Sequence, residues 1–213
     1  MRAADETTLF RTALVLVVVY LILIKFPSYL TIIIFAIALI LDAFDGYFAV
    51  WQVSKHKVGI ARYMKATVLN DKKAHEEIVE YKHKVSETAR FGPRMDIAGD
   101  RVAEYSMWVV FTYLHIIPLI ILLLIIVRHS FADAMMGAKG TSSKMKSTFA
   151  RAIYSSNTSR AVINALKFIT FAYLILVYVN SYPILIGYVL VGALFTFIML
   201  RGAAEIYESA KSQ

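Results

Sequence analysis

Residues 29–50 read Tyr29-Leu30-Thr31-Ile32-Ile33-Ile34-Phe35-Ala36-Ile37-Ala38-Leu39-Ile40-Leu41-Asp42-Ala43-Phe44-Asp45-Gly46-Tyr47-Phe48-Ala49-Val50. No charged residue occurs in this stretch before Asp42. Its length matches the roughly 20 apolar residues that a helix needs to cross the hydrocarbon core of a bilayer. Two carboxylates close the run, three residues apart, and therefore on one helix face. Carboxylates at that depth are expensive and usually mark a site.

The rest of the chain has the same character. It is 59% hydrophobic and only 18% charged, with a mean hydropathy of +0.61. A soluble domain of 213 residues could not bury that much apolar surface. Six apolar stretches are long enough to span as helices, at roughly 9–26, 29–50, 95–114, 117–136, 160–179 and 182–203. The fold class expected is an all-α integral membrane protein with six transmembrane helices, forming a single domain over 1–213. No cleavable signal peptide is expected, since the first apolar run ends in Lys25-Phe26-Pro27 rather than in a small-residue cleavage site.

Three connections are short, around Pro27, Pro118 and Pro183; two are long and basic, about 51–94 and 128–160. Of 23 Lys and Arg, only Lys25 falls at a short connection. The positive-inside rule then places both termini and both long connections in the cytoplasm of a multi-pass cell-membrane protein. Residues 51–91 form a basic helical cytoplasmic insertion between helices 2 and 3, with Ile78, Tyr81 and Val85 on one stripe. The net charge of +8 fits loops facing anionic lipid, or a pocket for phosphorylated substrates, rather than nucleic acid. There is no cysteine, so disulfides and thiolate metal sites are excluded. The five histidines and the aromatic residues Trp51, Trp108, Tyr29, Tyr178 and Tyr182 are expected at interfaces or in solvent.

The third apolar stretch opens Gly92-Pro93-Arg94-Met95-Asp96-Ile97-Ala98-Gly99-Asp100. Asp96 and Asp100 again share a face. The second helix runs toward the cytoplasm and the third leaves it, so the topology brings Asp42, Asp45, Asp96 and Asp100 to one level. Four such carboxylates would repel unless a cation joins them. Hard oxygen donors favour magnesium, manganese or calcium. The purely structural alternative is a salt-bridge network with Arg94, Arg101 or Lys144. Gly46, Gly92 and Gly99 leave space for a ligand or for close helix packing.

Together these residues spell D-x-x-D-G-x-x-A and G-x-x-x-D-x-x-x-D, through Asp42, Asp45, Gly46, Ala49, Gly92, Asp96 and Asp100. This resembles the signature of the CDP-alcohol phosphotransferase family, also called CDP-alcohol phosphatidyltransferases. The resemblance implies two magnesium or manganese ions held by Asp42, Asp45, Asp96 and Asp100, with Asp100 as the catalytic base. It implies that Gly46, Ala49 and Gly92 lie against the nucleotide. It implies transfer of a phosphatidyl-type group from a CDP-linked lipid to a small alcohol with release of CMP, and a homodimer. The chain departs from the pattern twice. Val50 stands where the family has Arg, for which Arg90, Arg94 and Arg62 are candidate replacements, and a long insertion precedes Gly92. Lys144, Lys146, Arg151 and Arg160, set among Ser and Thr, suit an acceptor phosphate, which favours glycerol phosphate or inositol phosphate. The alternative is contact with anionic headgroups. The absence of Cys and the Ile-rich helices suit a prokaryotic source, including an archaeal one.

A second function class is an ion-coupled transporter, with the aspartates as a cation or proton site. A transporter more often has internal repeats and helices broken at the midplane. Here no repeat is visible and the acids lie near one face.

Overall fold

The computed structural model describes residues 3–55, 57–67, 78–81, 92–139 and 157–211. Seven long or medium helices occur among the described residues: α1 (Ala3–Leu23), α2 (Ser28–Val53), α3 (Ile60–Thr67), α4 (Gly92–Tyr113), α5 (Leu119–Lys139), α6 (Asn157–Asn180) and α7 (Ile184–Lys211). Residues 78–81 are also helical, and no strand is present among the described residues.

The three short connections share one chemistry. Each helix stops on a residue in the left-handed region, Lys25 (φ 53°), His115 (φ 56°) and Ser181 (φ 58°). Each following helix begins just after a proline, at Ser28, Leu119 and Ile184. Proline fixes φ for a helix start and cannot continue the previous helix. At the end of α4 the capping bonds are explicit: the His115 amide donates to the Thr112 carbonyl at 3.0 Å, and the Ile116 amide donates to the Phe111 carbonyl at 3.0 Å. That pair is a Schellman cap with histidine where glycine is usual.

Three segments are long and apolar enough to cross a membrane, Asp5–Leu23, Ala161–Asn180 and Ile184–Tyr207; α2 makes a fourth when Ser28–Asp42 and Tyr47–Val53 are taken as one span. The sequence predicts six. In α4 the shortfall has a clear cause, because its first half carries Asp96, Asp100, Arg101 and Glu104. Lys167 lies well inside the Ala161–Asn180 segment, half-buried.

The chain forms two compact units, one of Met1–Ile24 and Tyr29–Ser106, the other of Lys25–Ser28 and Met107–Gln213. In the first, α1 buries Val15, Val18 and Ile22, and α2 buries Thr31, Phe35 and Ala38, each set at helical three- and four-residue spacing. A separate cluster joins the end of α2 to the segment that follows. Val50, Val58, Tyr63, Ala66 and Ile78 are buried together, with Tyr47 and Tyr81 against them. The Ser54 hydroxyl accepts from the Val58 amide and fixes the turn between α2 and α3. The helical character expected of 51–91 is therefore present over 60–67 and 78–81, but α2 itself continues to Val53.

In the second unit, α5 and α6 both pack on α7. Trp108 and Phe111 bracket Phe171, the first edge-on at 5.2 Å and the second stacked at 6.1 Å. Trp108 is thus a core residue with no exposed surface, not an interface anchor. His129, expected at an interface or in solvent, is buried within α5. Beside it, the Arg128 Nη2 meets Glu205 Oε2 at 2.7 Å with both side chains buried. A Cβ at Gly202 would run into the Arg128 side chain, so the glycine makes room for the guanidinium against α7. Arg201 donates to the Ser159 hydroxyl at 2.7 Å, tying α7 to α6.

Candidate active site

The acidic cluster is built in the first unit, from the C-terminal part of α2 and the first turns of α4. Asp42, Asp96 and Asp100 each offer a carboxylate oxygen, and the three oxygens lie within 4.8 Å of one another. The i, i+4 spacing of Asp96 and Asp100 on α4 puts both on the face turned to Asp42. Asp42 is the most enclosed, at 27% exposure, against 53% for Asp96 and 48% for Asp100. The cluster is therefore walled on the α2 side and open on the α4 side.

A basic residue from α1 sits among them. The Arg11 guanidinium, 4% exposed, pairs through Nη1 with Asp42 Oδ1. Through Nη2 it reaches Asp100 Oδ1 at 2.7 Å, Asp96 Oδ1 at 3.0 Å and the Asp96 carbonyl at 3.5 Å. Gly99 lets α1 come this close. A Cβ there would stand 2.5 Å from Thr8 Cγ2, 3.3 Å from Thr12 Oγ1 and 3.5 Å from Arg11 Nη2. The two readings of this glycine, ligand space and helix packing, thus resolve toward packing.

Arg11 is the residue that sequence reasoning missed. The salt-bridge alternative named Arg94, Arg101 and Lys144; of these, Arg101 pairs with Glu104 at 3.8 Å, and the side chain of Arg94 and the whole of Lys144 lie outside the described residues. The signal was available: Arg11 is the one Lys or Arg within the apolar run from Leu9 to Ile24. An ionisable residue inside such a helix needs a partner, and Asp42, Asp96 and Asp100 supply it.

The other expected site residues divide as follows. Asp45 and Gly46 lie in α2 one turn beyond Asp42, and Gly92 is the first residue of α4; their side-chain surroundings lie outside the described residues, as do those of Arg94 and of Arg160 in α6. Ala49 is half-buried on α2. Lys144, Lys146, Arg151 and Arg90 lie outside the described residues altogether. Of the candidates to replace the missing Arg, Arg62 is exposed on α3. Val50 itself has no exposed surface. An arginine there would have to bury its charge among Val58, Tyr63 and Ile78, which explains the departure.

The donor set suits a divalent cation. It consists of hard carboxylate oxygens, gathered within one coordination sphere and partly open to a ligand. Counting charges, three carboxylates and one guanidinium (−3 + 1) leave −2, which a single divalent ion would neutralise.

An all-helical membrane chain with an acidic cluster at one end of two adjoining helices defines the class. The family model of CDP-alcohol phosphatidyltransferase matches residues 1–59. That match contains Arg11, Asp42, Asp45, Gly46 and Ala49, and bears out over this part of the chain the resemblance read from the motif. Gly92, Asp96 and Asp100 lie beyond it; the fold returns Asp96 and Asp100 to the matched half of the motif. No curated protein and no solved structure matches the chain.

Proposed function

We propose that this protein is a phospholipid-synthesis enzyme of the cell membrane with six membrane helices, its site opening to the cytoplasm. It transfers a phosphatidyl-type group from a CDP-linked lipid to a hydroxyl of a small phosphorylated alcohol, glycerol phosphate or inositol phosphate, and releases CMP. The observation that carries this reading is the convergence of Asp42, Asp96 and Asp100 within 4.8 Å, from the two halves of one motif separated by the long insertion.

Asp42, Asp45, Asp96 and Asp100 would hold magnesium or manganese, as two ions. Such ions supply neutralisation of the diphosphate and of the charge that develops on the leaving nucleotide. The chain's own residues do the rest. Asp100, half-exposed at the open side, takes the proton from the acceptor hydroxyl. That oxygen forms a bond to the lipid-side phosphorus as the bond from this phosphorus to the CMP oxygen breaks. Gly46, Ala49 and Gly92 leave a smooth wall for the cytidine. Lys144, Lys146, Arg151 and Arg160 hold the acceptor phosphate.

The test is an acceptor screen with purified protein in lipid nanodiscs, given CDP-diacylglycerol or CDP-archaeol and magnesium, with CMP as the readout. Release of CMP that depends on glycerol phosphate or inositol phosphate is expected. Absence of CMP release with every acceptor, alongside cation flux in proteoliposomes, would instead establish the transporter class.

A further inference from the structure

Arg11 occupies the place that a cation should take. Its guanidinium is 4% exposed and reaches all three carboxylates. The fold has made room for it, since Gly99 carries no side chain where a Cβ would meet Thr8, Thr12 and Arg11 itself. A fixed positive charge held against three ligand oxygens has two consequences. It keeps like charges together when no metal is present. It also opposes any divalent cation approaching the same oxygens.

We propose that Arg11 is the resident counter-ion of the acidic cluster and competes directly with the divalent metal, so that it sets the metal affinity of the site. This rests on the metal-dependent reading given above. Arg11 is a positioning residue here: it preassembles the carboxylates and is exchanged for metal on loading. The guanidinium fork matters as well as the charge, because one planar group spans Asp42 on one nitrogen and Asp96 with Asp100 on the other.

The assignment makes a prediction opposite to that of a merely structural role. If Arg11 only held α1 to α4, its removal would splay the carboxylates and weaken metal binding. If it competes, its removal strengthens binding. The experiment is Mn²⁺ titration of the purified, EDTA-stripped protein, followed by electron paramagnetic resonance of free and bound Mn²⁺, with thermal unfolding measured in parallel. For Arg11→Gln the Mn²⁺ affinity should rise at least about ten-fold. Its metal-free form should unfold at lower temperature than wild type, and saturating Mn²⁺ should close most of that gap. Arg11→Lys keeps the charge but not the fork, and should bind Mn²⁺ more tightly than wild type by a smaller factor; it supplies the answer should the Gln variant fail to fold. Unchanged or weaker Mn²⁺ binding in the folded variant, with wild type binding normally, overturns the counter-ion role and leaves the metal site standing. Absence of Mn²⁺ binding in wild type and variants alike overturns both.

Discussion

Replacing Asp100 by Asn separates the work of a base from that of a ligand. The change keeps the size and shape of the side chain and one hydrogen-bonding oxygen for Arg11 Nη2, now at 2.7 Å from Asp100 Oδ1. It removes the capacity to take a proton. It also reduces the net negative charge of the described cluster, Arg11 included, from −2 to −1. A positioned general base contributes about 10²–10⁴-fold to rate, equivalent to about 2.7–5.4 kcal/mol of barrier. Asp100 is 48% exposed, so the loss of one carboxylate there is cushioned by water, and Asp42, the more enclosed ligand, is retained. The variant should therefore lose at least about a hundred-fold in kcat, while the Kd for CDP-lipid at saturating magnesium changes little. The assay is CMP release under single-turnover conditions, paired with equilibrium binding of the CDP-lipid. A kcat within about three-fold of wild type, where the base contribution should be about 10²–10⁴-fold, would refute the assignment, and so would a collapse of CDP-lipid binding with the rate of bound substrate preserved.

Three further outcomes are expected. Activity should vanish in EDTA and return with magnesium or manganese, because the carboxylates and a diphosphate cannot share a site without cations; full turnover in metal-free buffer would contradict this. Arg160→Ala should raise the KM for a phosphorylated acceptor about ten- to a hundred-fold with the KM for CDP-lipid nearly constant, the effect of a lost charge-assisted hydrogen bond; equal small effects on both would point to headgroup contact instead. Glu205→Gln should cost about 3–5 kcal/mol by leaving Arg128 buried with an unbalanced charge, lowering the unfolding temperature by about 6–20 °C, whereas replacing both partners, Arg128→Met with Glu205→Leu, should restore most of that loss.

Much of this was legible in the sequence because both signals are local. Counting apolar runs finds the long helices but gives six spans where three, or four with the bent α2, are long and apolar enough; the spacing within Asp42/Asp45 and Asp96/Asp100 fixes their helix faces. The approach of Asp42 to Asp96 and Asp100 followed from charge placement and helix direction, a global but simple constraint. Arg11 reads as a flanking charge because the apolar run begins only at Leu9, whereas α1 itself begins at Ala3; the packing of α1 on Gly99 reveals its partners. Trp108 and His129 depart from the expectation for a related reason. Their residue types favour interfaces on average, and nothing in their neighbours announces that Phe171 will close over Trp108. The pair Arg128–Glu205 joins residues 77 positions apart, a distance over which no periodicity speaks.

Val50 carries one more consequence. Its burial against Val58, Tyr63, Ala66 and Ile78 means that the segment after α2 is not an appendage that could be trimmed. The helix presenting Asp42 ends in a hydrophobic plug that the segment supplies. Excising residues 55–90 would uncover that plug, and restoring arginine at position 50 while keeping the segment would place a charge inside it. The two differences from the family pattern are thus one exchange seen from both sides. A chain converted toward the shorter pattern would have to cross both changes together, since either alone leaves it worse folded than where it began.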